Sequence, residues 1–136
     1  LDCMSCIIAL SFSVEALINF IGGKRVEAWK EKRSFLKKVK EVLKKLGLSY
    51  NSSIEPYATV EILKSIRDMI AHAQPIDKTA HVPSKADLKE VMKTPWDKYL
   101  TPDFCNRAYM HVQSFEQQLL ERSGIPIEET VTSAIG

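Results

Sequence analysis

An arginine and a histidine, Arg67 and His72, stand five positions apart where an amphipathic helix is predicted to end just before Pro75. Arginine stays cationic at any pH at which proteins are folded, and its planar guanidinium can donate two parallel hydrogen bonds to a phosphate. Histidine gives or takes a proton near neutral pH. These are the two group types needed to cleave a phosphodiester without a metal ion, with arginine holding the phosphate and histidine as general acid or base.

Spacing alone is weak support for this chemistry. With five arginines and three histidines in the chain, such a pair arises by chance in roughly one sequence in three. The structural alternative is that Arg67 is a surface arginine and that His72 favours a helix C-terminus because its cationic form complements the helix dipole. A second pair, Arg107 and His111, shares one helix face at i, i+4, and a local surface pair explains it.

The chain has 136 residues, of which 45% are apolar and 26% charged, as expected for one soluble globular domain. We expect a single helical domain over residues 1–124 and a C-terminal tail over 125–136. The apolar run from Cys3 to Ile21 is interrupted by polar residues such as Glu15, and basic residues follow it instead of preceding it. This pattern favours a core helix over a membrane span or signal peptide. We therefore predict a cytoplasmic protein with no membrane partner.

Three cysteines, Cys3, Cys6 and Cys105, argue against a disulfide framework and indicate a reducing compartment. The first two are formally a CxxC pair, but they lie in an apolar predicted helix, where thiols serve as small hydrophobes. The three histidines show no ligand spacing. The sequence therefore predicts no metal site and no cofactor.

Positive charge is concentrated between Lys24 and Lys45, where ten Lys and Arg against three Glu give a local +7. The remainder carries −5, from nine basic and fourteen acidic residues. An anionic partner such as RNA fits this asymmetry, and a solvated, lysine-rich helix face explains it equally well. The candidate RNA-binding residues are Lys37, Lys38, Lys44 and Lys45.

Apolar residues at helical spacing predict an all-α, up-down bundle of about five helices. The first helix is predicted to end at Gly22-Gly23, and the second to be capped by Gly47. The third is predicted to begin near Pro56, and the last at Thr101-Pro102. The five predicted helices span residues 3–21, 29–46, 56–72, 84–93 and 102–124.

A polar stripe runs along the predicted first helix, because Ser11, Glu15 and Asn19 are spaced four apart. Polar groups on so apolar a helix need water or polar partners. Glu15 and Asn19 are therefore candidates for one wall of a site, and a plain solvent-facing strip is the alternative.

Together these residues resemble the HEPN superfamily, small all-helical domains many of which are ribonucleases in toxin–antitoxin, antiphage and RNA-processing systems. The family signature is an arginine followed four to six residues later by a histidine, often with Asn, Asp or His directly after the arginine. Here it is Arg67-Asp68-x-x-x-His72. Ser11–Asn19 looks like the family's first helix, and the basic helix from Trp29 to Gly47 is similar to its second. The likeness covers about residues 5–75.

The resemblance implies a metal-independent endoribonuclease that acts as a homodimer, with the motifs of two protomers facing each other across a cleft. The ribose 2′-hydroxyl would attack phosphorus, with His72 as general acid or base and Arg67 on the phosphate. Asp68 would orient His72 or Arg67, or else would be a solvent-facing neighbour. The resemblance also implies a toxin, antiphage or RNA-processing role, with an antitoxin or other regulatory protein as a further partner.

Helix geometry independently favours a dimer. Residues five apart on one helix point about 140° away from each other, so a single Arg67 and His72 converge poorly on one phosphate. Two copies related by a twofold axis, or a fraying last turn, would ease this problem.

One alternative function is a non-catalytic HEPN-like module that binds RNA, a nucleotide or a protein. Another is a helical interaction domain with no nucleic-acid role, in which the basic helix serves only solubility.

Overall fold

The computed structural model describes residues 2–73, 97–126 and 128–129. Within these ranges the chain forms four α-helices and no strand, so the predicted all-α class is confirmed. The described ranges contain one helix fewer than predicted for the whole chain, and the segment 84–93, predicted to be helical, lies outside them. The elements are α1 (Cys3–Arg25), α2 (Phe35–Lys45), α3 (Tyr57–Ala73), a short 3₁₀ helix (Asp97–Tyr99) and α4 (Pro102–Ser123).

Helix α1 is the centre of the fold, because it contacts α2, α3 and α4. Its length and apolar composition alone would also meet the requirement for a membrane-spanning helix. In the fold, its apolar side chains form the core together with those of the other three α-helices. The least exposed of these core residues include Ile7, Val14, Ile18, Ile21, Val39, Val60, Ile66 and Phe115.

The Gly22-Gly23 pair does not end the first helix, which was the prediction; α1 continues to Arg25. Gly22 is buried, and a Cβ atom there would lie 2.3 Å from Cε2 of the Trp29 indole. The glycine therefore makes room for a tryptophan that packs against the helix, and its role is close approach and not chain termination.

Helix α2 begins at Phe35 and not at Trp29, so the second predicted helix is six residues too long at its start. The segment before it is an irregular connection that contacts the helices on both sides of it. The Trp29 ring packs against Gly22, and the carbonyl of Glu31 accepts a hydrogen bond from the Lys38 side chain. The predicted end is confirmed, because Gly47 follows α2 with a positive φ of 75°.

Helices α3 and α4 begin where the proline and capping residues of the sequence predicted. Helix α3 begins directly after Pro56. The Thr101 hydroxyl accepts a hydrogen bond from the Phe104 N–H at the start of α4, and Gly124 ends that helix with φ 68°. Ile125, the first residue of the predicted tail, is buried in the core.

Candidate functional site

Arg67 and Glu15 meet where α3 packs against α1. The Nη2 atom of Arg67 lies 2.6 Å from Oε1 of Glu15, and the Arg67 side chain is 31% exposed. Its Nε atom is buried and makes no hydrogen bond within the described part of the chain. One edge of the guanidinium is thus fixed by a carboxylate from another helix, while part of the group remains open to solvent.

The second oxygen of Glu15 binds a buried lysine of α2. Lys38 is 1% exposed, and its Nζ donates to Glu15 Oε2 at 2.9 Å, to Asn19 Oδ1 at 3.0 Å and to the Glu31 carbonyl at 2.9 Å. An ammonium has three N–H donors, and all three are used here. Two members of the polar stripe of α1, Glu15 and Asn19, therefore bind a buried lysine, and Glu15 joins α1, α2 and α3.

Lys38 must be removed from the predicted RNA-binding surface. Its side chain is buried and its three donors are occupied, so it cannot contact a phosphate in solvent. The other members of that predicted surface, Lys37, Lys44 and Lys45, are exposed.

The sequence carried a signal for the burial of Lys38. Lys38 lies three residues after Phe35 and four before Val42, on the same face of α2 as these buried residues. Residue type suggested a solvent-exposed side chain, and the helical period of α2 pointed to the core.

Asp68 contacts two cations of α3. Its Oδ2 lies 2.8 Å from Lys64 Nζ, one turn earlier, and its Oδ1 lies 3.7 Å from Arg67 Nη1. Lys64 was not singled out in the sequence. Each of the two carboxylates beside Arg67, Glu15 and Asp68, is thus shared with a lysine.

His72 is exposed in the last turn of α3. No hydrogen bond or ion pair joins its side chain to another residue in the described ranges. The fold therefore brings Arg67, Asp68, Glu15 and Asn19 into one charged cluster around the buried Lys38, and His72 is not part of that cluster.

The second Arg and His pair, on α4, has a different environment. Arg107 binds Asp103 one turn earlier, with Nη2 3.1 Å from Oδ2. His111 lies 3.6 Å from Glu55, which precedes α3. Both residues line a cavity of about 280 Å³ that also includes Tyr99 and Phe104. Each member of this pair thus has its own carboxylate.

The thiol of Cys105 is buried on the core side of α4 and donates a hydrogen bond to the Cys3 carbonyl at 3.4 Å. Burial raises the pKa of Cys105 to about 12, with a further contribution from the hydrogen bonds and charges of Cys3 and Cys6. At neutral pH this residue is therefore a protonated thiol that packs in the core as a small hydrophobe. No group of three or more His, Cys, Asp or Glu residues in the described ranges is arranged to hold a metal ion.

Comparison with known proteins gives no further constraint: no family model, no curated protein and no solved structure matches the chain.

Proposed function

We propose that the chain is a metal-independent endoribonuclease of HEPN type that acts as a homodimer. The observation that carries the proposal is the setting of Arg67: a guanidinium held at the surface by Glu15 of another helix, with an exposed His72 at the end of the same helix. A fixed, partly open guanidinium suits a phosphate ligand, and an exposed imidazole suits proton transfer.

In the proposed reaction the ribose 2′-hydroxyl attacks the adjacent phosphorus and the 5′-oxygen leaves. The products are a 2′,3′-cyclic phosphate and a free 5′-hydroxyl. His72 takes the proton of the attacking hydroxyl or gives one to the leaving oxygen. Arg67 holds the phosphate and offsets the charge that builds on its oxygens.

Dimerisation solves the geometric problem within one protomer. Arg67 and His72 point about 140° apart on α3, and Arg67 is turned towards α1 by its ion pair with Glu15. A twofold axis near the end of α3 would bring both copies of both residues to one cleft. The exposed lysines of the basic segment, Lys37, Lys44 and Lys45, would guide RNA towards it.

A toxin, antiphage or RNA-processing role in the cytoplasm follows from the HEPN resemblance and belongs to this proposal. So does an antitoxin or other regulatory protein as a second partner. An uncontrolled ribonuclease of this type would need such a partner, because the proposed reaction requires nothing beyond the protein and RNA.

The decisive experiment is incubation of the pure protein with mixed RNA in a chelating buffer, followed by analysis of the new RNA ends. We expect 2′,3′-cyclic phosphates and 5′-hydroxyls from the parent protein and none from His72→Ala. His111→Ala is the matched control and should cut like the parent. Intact RNA after prolonged incubation with the parent dimer would contradict the proposal.

A second candidate function is a non-catalytic module that binds RNA, a nucleotide or a protein. The observation that favours it is that Arg67 already contacts Glu15 and Asp68, whereas His72 contacts neither. In that case RNA binding would persist in His72→Ala, and no cyclic-phosphate ends would form with any variant.

A further inference from the structure

Arg67 contacts two carboxylates, Glu15 at 2.6 Å and Asp68 at 3.7 Å. Two negative charges beside one arginine would normally make a poor anion site, because they cancel its charge and repel a phosphate. The proposed phosphate ligand therefore needs a compensating feature in its surroundings.

The negative charge of each carboxylate is offset by a lysine that binds it. Lys38 binds Glu15 at 2.9 Å, and Lys64 binds Asp68 at 2.8 Å. The cluster thus contains three cations and two anions and retains one positive charge. Arg107, by contrast, makes one ion pair within the described part of the chain, with Asp103.

The net positive charge of the cluster is available to a ligand at Arg67, because Lys38 is buried and is bound to other groups. Lys38 is 1% exposed and its three donors are bound to Glu15, Asn19 and the Glu31 carbonyl. Lys38 cannot reach a ligand in solvent, and it offsets the negative charge of Glu15 from the buried side of that carboxylate. Arg67 contacts the same carboxylate from a partly exposed position.

We infer that Lys38 is a positioning residue that acts through Glu15: it offsets the Glu15 carboxylate, so that Arg67 is held in place without losing its attraction for a phosphate group. The inference rests on the proposed function for the identity of that phosphate as an RNA diester. Lys64 has the same relation to Asp68 at a more exposed position.

The test measures anion binding separately from cleavage. The probe is a short DNA oligonucleotide, which has phosphodiesters but no 2′-hydroxyl and cannot be cut by the proposed reaction. Binding is followed by the ¹⁵Nε–¹Hε signal of Arg67 and by the dissociation constant at fixed salt. Lys38→Met should weaken binding about tenfold, since the positive charge that offsets the Glu15 carboxylate behind Arg67 is lost. Lys40→Met, an exposed change on the same helix, is the control for the loss of one lysine charge.

A rescue variant separates a charge effect from a structural one. In Lys38→Met with Glu15→Gln, the carboxylate that Lys38 offsets is replaced by an amide, whose oxygen can still accept a hydrogen bond from Arg67. Oligonucleotide binding should therefore return to near the parent value. If binding stays as weak as in Lys38→Met, Lys38 acts by supporting the fold, and the inference is overturned. Equal affinity of Lys38→Met and Lys40→Met would overturn it too.

If Lys38→Met does not fold, the same logic applies to Lys64, which is partly exposed and less critical to packing. Lys64→Met should weaken binding about threefold, the size expected for a solvent-screened charge, and Asp68→Asn in that background should restore it. No restoration would overturn the inference. The protein could show this loss and recovery of oligonucleotide binding and yet cut no RNA. That result would contradict the proposed ribonuclease function and would leave the role of Lys38 intact.

Discussion

Helices α3 and α4 each carry an arginine followed within five residues by a histidine, and the fold treats the two pairs differently. On α3, Arg67 binds Glu15 of another helix, and that carboxylate is shared with the buried Lys38. On α4, Arg107 binds Asp103 of its own helix and its side chain is 62% exposed. Arg67 is therefore held by a carboxylate of another helix, whereas Arg107 is held by a carboxylate of its own helix and lies largely in solvent.

For the histidines the order is reversed: the one on α4 has a partner side chain, and the one on α3 has none in the described ranges. His111 lies beside Glu55, whereas His72 is exposed and joined to no other side chain in the described ranges. A fixed arginine with an unengaged histidine suits a site that awaits a ligand or a second protomer. An exposed arginine and a histidine, each with its own carboxylate, suit surface pairing. The comparison therefore favours α3 over α4 as the helix for the proposed chemistry.

The largest contrast is expected between the two histidines. His72→Ala should lower RNA cleavage by about 10²–10⁴-fold, the usual contribution of a general acid or base. His111→Ala should leave the rate unchanged. Initial rates on a fluorescent RNA, with circular dichroism to check folding, measure both. Equal losses in the two variants would remove the functional distinction between α3 and α4.

A smaller contrast is expected between the two arginines. Arg67→Lys retains the charge but loses the planar fork that binds Glu15 and a phosphate together, and cleavage should fall about a hundredfold. Arg107→Lys should cut RNA at the parent rate. Single-turnover rates at saturating RNA test this, and a parent-like rate for Arg67→Lys would mean that a point charge at this position is enough.

The stability contrast is between Lys38 and Lys40 on α2. Lys38→Met breaks a buried ion pair but leaves Glu15 paired with Arg67, so we expect a loss of about 2 kcal/mol, less than a fully unpaired buried charge costs. Lys40→Met changes an exposed residue and should stay within about 0.5 kcal/mol of the parent. Urea unfolding measures both free energies. If the two values agree, the Lys38 network does not stabilise the fold.

The smallest effect concerns a second carboxylate at a helix contact, Glu116 of α4. Burial raises its pKa, and a hydrogen bond from the Ser13 hydroxyl partly opposes this. The folded protein therefore binds the proton more tightly than the unfolded chain does, and stability falls as pH rises from the ordinary carboxyl pKa of 4.5 through the raised value.

Glu116→Gln removes this titration. We expect a slightly higher free energy of unfolding than the parent at pH 7. The difference should shrink as pH falls through the raised pKa towards 4.5 and should be lost below it. Unfolding curves at several pH values measure it. A variant less stable than the parent at pH 7 would show that the ionised carboxylate contributes a favourable contact.

Much of the fold could be read from local signals. Pro56 marks the start of α3, Thr101-Pro102 the start of α4, and Gly47 and Gly124 the ends of α2 and α4. Each of these acts on the backbone within one helical turn, so the residue type alone carries the information. The same holds for the grouping of Ser11, Glu15 and Asn19 on one face of α1.

The errors in the sequence-based predictions have a common origin in contacts between distant residues. Gly22 was read as a helix terminator, and it makes room for Trp29. Lys38 was read as a solvent-facing RNA contact, and it is buried against Glu15 and Asn19. In both cases the role of the residue depends on a partner that the local pattern does not identify.

For the candidate site, residue types and helical spacing were enough to identify Arg67, Asp68 and His72 on one helix and a polar stripe on another. Helix packing then established that Glu15 binds Arg67, that a buried lysine shares this carboxylate, and that His72 lies apart from the cluster. Helical period and capping act over a few residues and can therefore be read locally, whereas charge pairing and burial depend on which helices pack together.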